Sequence, residues 1–455
     1  MTIDRQRVPE PGPSADFRFP DWKEYTLKNG LTVVLLTDPT FPHVSFRIMM
    51  STGGNHDDGL PGLTSVVADL LSRGTSALTA SEVAEKTEFM GGRLSSGSQW
   101  DSSWIGITAL STYSADALKL LADSVMDPGF RQEDIDFLVE QRKNQFLMNM
   151  DSTSWLAGYA MSLALFPKHL YEFPVSGTTW SLEKINRHRI LEHYQNRFQA
   201  TGSLLIAIGD FDPETLLPGI EKHFSHWKPH ALEPETLPVL PLINKRKIWV
   251  VDKPDAVQSS IRIAHHGISK SNPDLPAVMV MNTILGGYFG SRLNLNLRED
   301  KGFTYGVRSA FSERRYPGFF TVVTDVRTEV TGESVHEIIR EMARLQREPV
   351  DTPTLDNVKN YMTGRFPSDF ETNDQIAQAI MEIRLYNLNA SYFSSLRNQI
   401  AKITREQVLD AARKYLNPQK ASIIVAGNAA DVTGQISSWG QVQVIDPQQW
   451  QKGPQ

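Results

Sequence analysis

Two long stretches of this 455-residue chain resemble each other. Ile185–Asp210 aligns without a gap on Ile403–Asn428, at an offset of 218 residues. Upstream of these, Asp136–Phe146 aligns on Asp356–Phe366 at an offset of 220 residues. Self-similarity at a nearly constant offset indicates a repeated structural unit. The chain is therefore predicted to contain two homologous halves of about 220 residues each.

Each half combines strand-like and helical patterns and ends in a short apolar strand. In the first half, Asn29-Gly30 is a hairpin signal in front of the β-rich Leu31–Leu36, and Ser203–Gly209 has the composition of a buried strand. Strand pairs followed by long helices favour an α+β fold, with each half built of α/β sandwich domains. Two such halves, or one chain and a partner, are expected to enclose a chamber that holds a large ligand.

Proline-rich segments mark the boundaries, because proline interrupts regular structure. One such segment lies between the two repeated regions and is predicted to be an interdomain linker. The predicted domains are an N-terminal arm (1–22), a first half (23–227), the linker (228–244), a second half (245–430) and a C-terminal tail (431–455).

Composition excludes several classes of function. The formal net charge is −6 and no cluster of lysine and arginine is present, which argues against a nucleic-acid partner. No apolar run approaches the roughly 18 residues of a membrane span. The chain has no cysteine, so disulfides, thiolate nucleophiles and cysteine–zinc sites are excluded. Residues 1–22 lack the apolar core of a signal peptide, and we expect a cytoplasmic or periplasmic location.

Three groups of histidine and acidic residues resemble metal sites only superficially. His188 and His193 are five positions apart in a predicted helix and so do not share a face. His265 and His266 are neighbours in a predicted strand and point to opposite faces. His336 has acidic neighbours but no second histidine. We expect all three groups to be structural.

A series of spaced motifs resembles those of a known family. In chain order they are Leu27–Val33, Gly53, Gly59–Leu63, Gly74-Thr75, Gly91–Leu94, Leu182–Asp210, Gly286–Leu293 and Leu297–Tyr305. Together they resemble the pitrilysin-type zinc peptidases (inverzincins), which include insulin-degrading enzyme and the mitochondrial processing peptidase. The resemblance covers nearly all of residues 22–430 and implies two similar α+β halves.

The metal motif of that family is His-x-x-Glu-His on a helix, in which two histidines on one face bind zinc and the glutamate polarises water. Here the motif aligns on Ser65, Ala68 and Asp69, and the family's third ligand, a glutamate, aligns near Gln145. One carboxylate with neutral serine and glutamine does not bind zinc tightly. No general base remains either. The resemblance therefore implies no zinc in this chain and a zinc ion in a partner subunit.

The second half retains another part of the family's machinery. Arg298 and Tyr305 have the seven-residue spacing of the family's Arg/Tyr pair, which is implied to bind the substrate carbonyl and stabilise the oxyanion. Taken alone, Arg298 would be a surface ion-pair residue beside Glu299, and Tyr305 a core residue of a strand. The surrounding motif assigns the pair as catalytic, with Gly286 and Gly287 as substrate-binding residues.

These features resemble the subunit without zinc in bacterial heterodimeric members of the family. We therefore expect a subunit of a zinc metalloendopeptidase that acts on peptides or unfolded segments and is inactive alone. Its expected partner is a homologous zinc-bearing subunit, and the resemblance also allows a homodimer of the isolated chain. The alternatives are a non-catalytic scaffold or binding subunit of the same fold, and a self-sufficient peptidase, which needs a zinc site that the sequence lacks.

An extended peptide is expected to bind by adding a strand to an exposed sheet edge. In the family that edge lies near Gly91–Ser98, where active members carry Asn-Ala. This chain has Ser95-Ser96 instead. Ser95 is therefore the substrate-binding candidate in the first half.

Overall fold

The computed structural model describes residues 17–229, 239–241, 243 and 245–453. It contains one six-stranded sheet in each half. The strands of the first sheet are β1 (Lys23–Thr26), β2 (Thr32–Thr37), β3 (His43–Met50), β4 (Arg93–Ser98), β5 (Ser103–Leu110) and β6 (Leu204–Gly209). The strands of the second are β7 (Ile248–Asp252), β8 (Gln258–His266), β9 (Val307–Ser312), β10 (Phe319–Arg327), β11 (Ser422–Gly427) and β12 (Val442–Ile445).

Helices cover both faces of each sheet. Those of the first half are α1 (Leu63–Leu70), α2 (Ala80–Phe89), α3 (Ser114–Met126), α4 (Gln132–Asn149), α5 (Thr153–Leu165), α6 (Thr179–Leu182), α7 (Arg187–Arg197) and α8 (Pro213–Phe224). Those of the second half are α9 (Leu275–Asn282), α10 (Thr331–Arg347), α11 (Thr352–Arg365), α12 (Asn373–Leu385), α13 (Tyr392–Lys402), α14 (Arg405–Tyr415) and α15 (Ala429–Ile436), with π-helical segments at Thr283–Gly287 and Asn294–Asp300.

The two sheets repeat one plan. Their strand orders are β1-β2-β6-β3-β5-β4 and β12-β7-β11-β8-β10-β9. Gly209 pairs with Thr37 in a parallel ladder, and Gly427 pairs with Asp252 in the corresponding one. The predicted correspondence of Gly209 with Gly427 is therefore confirmed, as is the α+β fold of two similar halves. Only one edge differs, because β1 precedes its sheet and pairs antiparallel, whereas β12 follows its sheet and pairs parallel.

Each half contributes one helix that packs on the sheet of the other half, and we call these two helices the exchanged helices. Along β2, Val33 and Leu35 face the helices of the first half, whereas Val34 and Leu36 belong to a core shared with the second half. Helix α12 of the second half packs against β3 and β6 on this shared face. In return, α5 of the first half packs against β8 and β11. Each sheet is thus covered on one face by its own helices and on the other by a helix from the opposite half.

Each exchanged helix is contacted by an arginine side chain of the sheet that it covers. Arg47 of β3 forms an ion pair with Asp374 in the first turn of α12, at 3.0 Å. Arg262 occupies the corresponding register position in β8, and its Nη2 lies 2.6 Å from the hydroxyl of Ser154 in the first turn of α5. Burial lowers the pKa of both arginines. The repeat thus extends to the contacts that hold the two halves together.

Described segments near both ends of the chain also pack on the second half. Phe19, from the predicted arm, is buried and stacks on Phe393 of α13 with ring centroids 5.7 Å apart. Beyond residue 430, β12 extends the second sheet and Trp450 is buried against Tyr159. Residues 1–16 of the arm and residues 230–238, 242 and 244 of the predicted linker lie outside the described part of the chain. In the part that is described, no helix is long and apolar enough to cross a membrane.

Candidate functional site

Helix α1 carries the three positions that align on the metal motif. Ala68 is fully buried in the hydrophobic core of the first half. Ser65 and Asp69, one turn apart, both contact Arg142 of α4. The Arg142 Nη2 atom lies 2.6 Å from Asp69 Oδ2 and 2.8 Å from Ser65 Oγ. An arginine side chain therefore occupies the space in front of both aligned ligand positions.

The donor set of this site does not fit zinc. Gln145 is exposed and donates to Asn149 on its own helix, at 2.9 Å. Arg142 is a fixed cation, and its side chain is only 11% exposed. Within the described residues, no group of three or more histidine, cysteine, aspartate or glutamate side chains is placed to bind a metal. The site is a charged cross-link between α1 and α4.

Buried polar residues fix the N-terminal end of α1. Asp57 accepts hydrogen bonds from the backbone N–H groups of Gly62 (2.7 Å) and Thr64 (2.8 Å). Burial raises the pKa of Asp57 to about 6, although both hydrogen bonds act in the opposite direction. His193 is buried, and its Nε2 lies 2.9 Å from the Thr64 hydroxyl. His193 thus contacts α1, in agreement with the structural role that we expected for it.

Strand β4 forms the free edge of the first sheet beside α1, as expected. Ser95 is partly buried and pairs with Gly106 of β5. The hydroxyl of Ser96 lies 2.9 Å from the hydroxyl of Ser72 and 3.4 Å from the carbonyl oxygen of Asp69. The edge strand is therefore tied to the same helix that carries the degenerate metal positions.

In the second half, Arg298 lies on the π-helical segment Asn294–Asp300. Its guanidinium carbon is 4.2 Å from the ring centroid of Phe289, a cation–π contact. Its Nε atom is 3.4 Å from a carboxylate oxygen of Glu299, which is itself half exposed. The side chain of Arg298 remains 34% exposed. It is thus oriented by an aromatic ring while part of it faces solvent.

Tyr305 is 93% exposed, although its backbone is held firmly. The hydroxyl of the preceding Thr304 donates to the carbonyl of Asp325 in β10, at 2.7 Å, and accepts from the N–H of Gly306, at 3.1 Å. Gly302, with φ +62°, allows the tight turn before this loop. The alternative assignment of Tyr305 as a core residue is therefore wrong, because the strand β9 begins only at Val307.

Two asparagines that the sequence analysis missed connect these segments. Asn294 donates to the carbonyl of Val307 (2.9 Å) and accepts from its N–H (3.1 Å), so it ties the segment of Arg298 to the loop of Tyr305. Asn296 donates to two buried carboxylates of α10, Glu337 (2.8 Å) and Glu341 (3.1 Å). Their position between the two recognised segments Gly286–Leu293 and Leu297–Tyr305 was the available signal.

The glycine pair lies between these elements. A Cβ atom on Gly286 would lie 2.6 Å from the Ser309 hydroxyl, so the absence of a side chain allows the π-helical segment to approach β9. Gly287 is exposed. Close packing thus accounts for Gly286, and the assignment of both glycines to substrate binding remains a prediction.

The histidines of β8 point to opposite faces, as their adjacency predicts. The Nε2 atom of His265 accepts from the backbone N–H of Asn417 (3.2 Å), and its Nδ1 donates to the carbonyl of His266 (2.7 Å). His266 instead lies 2.7 Å from the carbonyl of Leu165 in α5. Burial lowers the pKa of His265 to about 4. The neutral imidazole therefore has both nitrogens satisfied.

Two family models match the chain. Residues 32–154 match "Insulinase (Peptidase family M16)", and residues 184–362 match "Peptidase M16 inactive domain". Among curated relatives, an uncharacterized zinc protease YmxG of Bacillus subtilis is 22% identical over 406 residues, covering 89% of this chain and 98% of that protein. The non-peptidase homolog YmxG of Helicobacter pylori is 23% identical over 392 residues, covering 85% and 89%.

Solved structures share the same fold. The crystal structure of a peptidase M16 inactive domain from Pseudomonas fluorescens has a TM-score of 0.84 and 25% identity, covering 90% of this chain and 98% of that chain. A protease from Helicobacter pylori has a TM-score of 0.82 at 16% identity, covering 90% and 100%. The motifs, the two repeated halves and both family models lead to one conclusion: this chain belongs to peptidase family M16.

Proposed function

We propose that this chain is the subunit without zinc of a heterodimeric metalloendopeptidase, and that it supplies Arg298 and Tyr305 to the active site of a zinc-bearing partner. One contrast carries the proposal. The aligned metal positions are filled by the Arg142 side chain, whereas Tyr305 is 93% exposed on a loop with a rigid backbone. The described part of the chain therefore has no donor set that fits zinc at the aligned positions, but it presents hydrogen-bond donors at its surface.

The residue types suit the stabilisation of a developing oxyanion. The phenol of Tyr305 donates one hydrogen bond, and the planar guanidinium of Arg298 adds donors with a permanent positive charge. Both groups act best when they are oriented before the charge develops. Phe289 and Asn294 provide that orientation, the first by contact with the guanidinium and the second by tying Val307 to the helical segment.

The substrates that fit this proposal are peptides and unfolded segments. Both β4 and β9 are free sheet edges, to which an extended backbone can add by main-chain hydrogen bonds. Partly buried Ser95 lies on the first of these edges, and exposed Arg308 on the second. Zinc, the attacking water and the general base would come from the partner.

Similar proteins support different parts of the proposal. The Bacillus subtilis relative is named a zinc protease, whereas the Helicobacter pylori relative is named a non-peptidase homolog. The similar Pseudomonas fluorescens structure is titled an inactive domain. A member of the fold without its own activity is consistent with the second and third descriptions.

The experiment measures cleavage of a quenched fluorescent peptide by this chain mixed with a zinc-bearing homologue. Tyr305→Phe removes one hydroxyl, and Arg298→Lys keeps the charge but loses the planar fork. Loss of one oxyanion donor typically lowers turnover about 100- to 1,000-fold, so we expect a decrease of that size for Tyr305→Phe. Arg298→Lys should also be impaired. Gel filtration checks that each mixture still assembles.

Matched controls are Tyr113→Phe and Arg365→Lys, which make the same chemical changes outside the motif, at a partly buried and an exposed position respectively. Both controls should cleave at the wild-type rate. If Tyr305→Phe and Arg298→Lys assemble and also cleave at that rate, the shared active site is refuted.

The competing proposal is a non-catalytic scaffold or binding subunit. It is favoured by the contacts of Arg298 with Phe289 and Glu299, which are also what an ordinary surface arginine makes. A mixture that assembles, with both substitutions silent, would support it.

A further inference from the structure

A cavity of about 380 Å³ lies where the two halves meet, at the ends of both edge strands. The first half contributes the turn Gln99–Ser102, which follows β4. The second half contributes Glu313 and Arg314, which follow β9, and Leu385 at the end of α12. The cavity is therefore the place where the two free sheet edges converge.

The guanidinium of Arg314 is held in an aromatic box at this cavity. Its carbon lies 4.3 Å from the ring centroid of Tyr171, 4.6 Å from that of Trp100 and 5.3 Å from that of Phe319. Its backbone carbonyl accepts from the N–H of Lys270, at 3.0 Å. These contacts fix the plane of the guanidinium. Its orientation is therefore set by the aromatic rings and not by a counter-ion.

Arg314 forms no direct ion pair within the described part of the chain, although the nearby Asp101 carboxylate stabilises its charge from a distance. Its Nη1 atom is buried without a hydrogen-bond acceptor there, and no carboxylate of those residues lies within 4.0 Å. Asp101, which also lines the cavity, accepts from the Tyr171 hydroxyl (3.0 Å) and from the backbone N–H of Arg315 (3.1 Å) instead. Burial lowers the pKa of Arg314 to about 10, so the group is charged at neutral pH.

A buried guanidinium with a nitrogen that has no hydrogen-bond acceptor is stabilised when an anion enters and supplies a direct contact. We propose that this cavity binds a carboxylate group of an extended peptide through Arg314. The planar guanidinium matches a carboxylate in a two-point contact. The carboxyl groups of Asp101 and Glu313 in the cavity wall disfavour a dianion such as phosphate.

Cavity size and position favour a peptide over a larger partner. The volume accommodates one terminal residue or one acidic side chain. A peptide strand added to β4 or β9 runs toward this cavity, because both strands end there. The identification of the ligand as a peptide rests on the proposed function, whereas carboxylate binding does not. Binding is therefore measured on this chain alone, without a zinc-bearing partner.

The test compares three acetylated alanine-rich pentapeptides by isothermal titration calorimetry. One has a free C-terminal carboxylate, one is amidated, and one is amidated with an internal glutamate. We expect at least one carboxylate peptide to bind at least tenfold more tightly than the neutral amide. The two carboxylate peptides distinguish a chain terminus from an acidic side chain.

Substitutions locate the binding. Arg314→Gln should abolish the preference for the carboxylate, and Arg314→Lys should retain only part of it. The control Arg189→Gln removes an exposed arginine of α7, outside the cavity and away from both sheet edges, and should bind as the wild type does. Glu313→Gln removes a negative charge from the wall and should tighten binding about two- to fivefold. Because this last change strengthens binding, a folding defect cannot imitate it.

Three results would overturn the proposal. They are equal affinity for the carboxylate and amide peptides, unchanged preference in a folded Arg314→Gln variant, and no detectable binding of any peptide at millimolar concentration. Inorganic phosphate is titrated as a further probe. If it binds more tightly than the carboxylate peptides, the site is a general anion site and the assignment to peptides is refuted.

Discussion

The two halves have the same arrangement at the edge strand of the sheet, a corner at which they carry different side chains. Ser96 and Ser309 occupy corresponding positions on the edge strands β4 and β9. In the first half, Ser96 contacts Asp69, whose carboxylate is paired with Arg142. In the second half, Ser309 contacts Asn282, a neutral residue. This corner thus holds an internal ion pair in one half and a neutral hydrogen bond in the other.

In the first half, the arginine fills the space in front of the aligned metal positions. Arg142 connects α1 to α4 through Asp69 and Ser65, as a bound ion would connect helices. The second half uses a different device. Hydrogen bonds of the buried Asn294 and Asn296 hold the segments that carry the exposed Arg298 and Tyr305. The following predictions test this contrast.

The largest expected effect is on zinc binding. Ser65→His, Ala68→Glu, Asp69→His and Gln145→Glu together restore the family's metal motif. With Arg142 in place we expect no stoichiometric zinc, because the guanidinium reaches both ligand positions and repels the ion. Adding Arg142→Ala should strengthen zinc binding by at least about 100-fold, since like charges in contact cost several kcal/mol.

Elemental analysis after gel filtration measures the zinc content of both combinations and of the wild-type chain. Equal zinc content with and without Arg142 would contradict the role assigned to its guanidinium.

The second prediction concerns acid stability, which should depend on the second half. His265 of β8 corresponds in register to Met50 of β3. Its pKa is about 4 in the folded protein, against an ordinary value of 6.5. The unfolded chain therefore takes up the proton first on acidification, and the free energy of unfolding should fall by about 3 kcal/mol between pH 6.5 and pH 4 through this group.

Urea unfolding at pH 7 and pH 4 measures this loss. His265→Gln keeps a hydrogen-bonding side chain but does not titrate, so its stability should decrease less over the same range. A pH dependence equal to that of the wild type would show that His265 contributes nothing.

The third prediction concerns the ion pair of Arg142 and Asp69. A double-mutant cycle with Arg142→Ala and Asp69→Ala should give a coupling free energy of about 1 to 2 kcal/mol, because the arginine is mostly buried. The control is Lys119 and Asp123 on α3, an exposed pair for which about 0.3 to 0.5 kcal/mol is expected. Thermal unfolding measures both cycles. Equal couplings would mean that Arg142 is not a cross-link.

The smallest effect lies at the exchanged helices. Arg47 faces a carboxylate of α12, whereas the corresponding Arg262 faces the hydroxyl of Ser154. Ser154→Asp would make the two contacts alike and place an acid in the first turn of α5, which should stabilise the protein by up to about 1 kcal/mol. Asp374→Ser should cost less than about 1 kcal/mol, because its side chain is half exposed. Destabilisation by Ser154→Asp would contradict this symmetry.

The repeat could be predicted by aligning the sequence on itself, whereas the edge strand and the missing zinc ligands could be predicted only through the resemblance to the family. The alignment of Gly209 with Gly427 required only the period of the repeat. Arg142 was not predicted, although it precedes Gln145 by three positions and so shares its helix face. The aligned ligand positions show which side chains are absent, but they do not show which side chain from another helix fills the space.

The sequence pattern also did not predict that α5 and α12 each pack on the sheet of the opposite half. Alternation along β2 predicts that Val34 and Leu36 are buried on the opposite face from Val33, but not which helix covers them. The structure of residues 431–453 could not be predicted for the same reason, because β12 pairs with β7, which lies in a distant part of the chain. Contacts of this kind depend on tertiary packing, which hydrophobic periodicity does not encode.

The exchanged helices also set the order in which the protein can fold during its synthesis. The face of the first sheet that carries Val34 and Leu36 gains its cover only when α12 has left the ribosome. At the usual elongation rates this leaves roughly 10 to 35 s between the completion of β6 and the arrival of α12. During that interval this face of the sheet presents an apolar surface, which makes the nascent first half prone to aggregation.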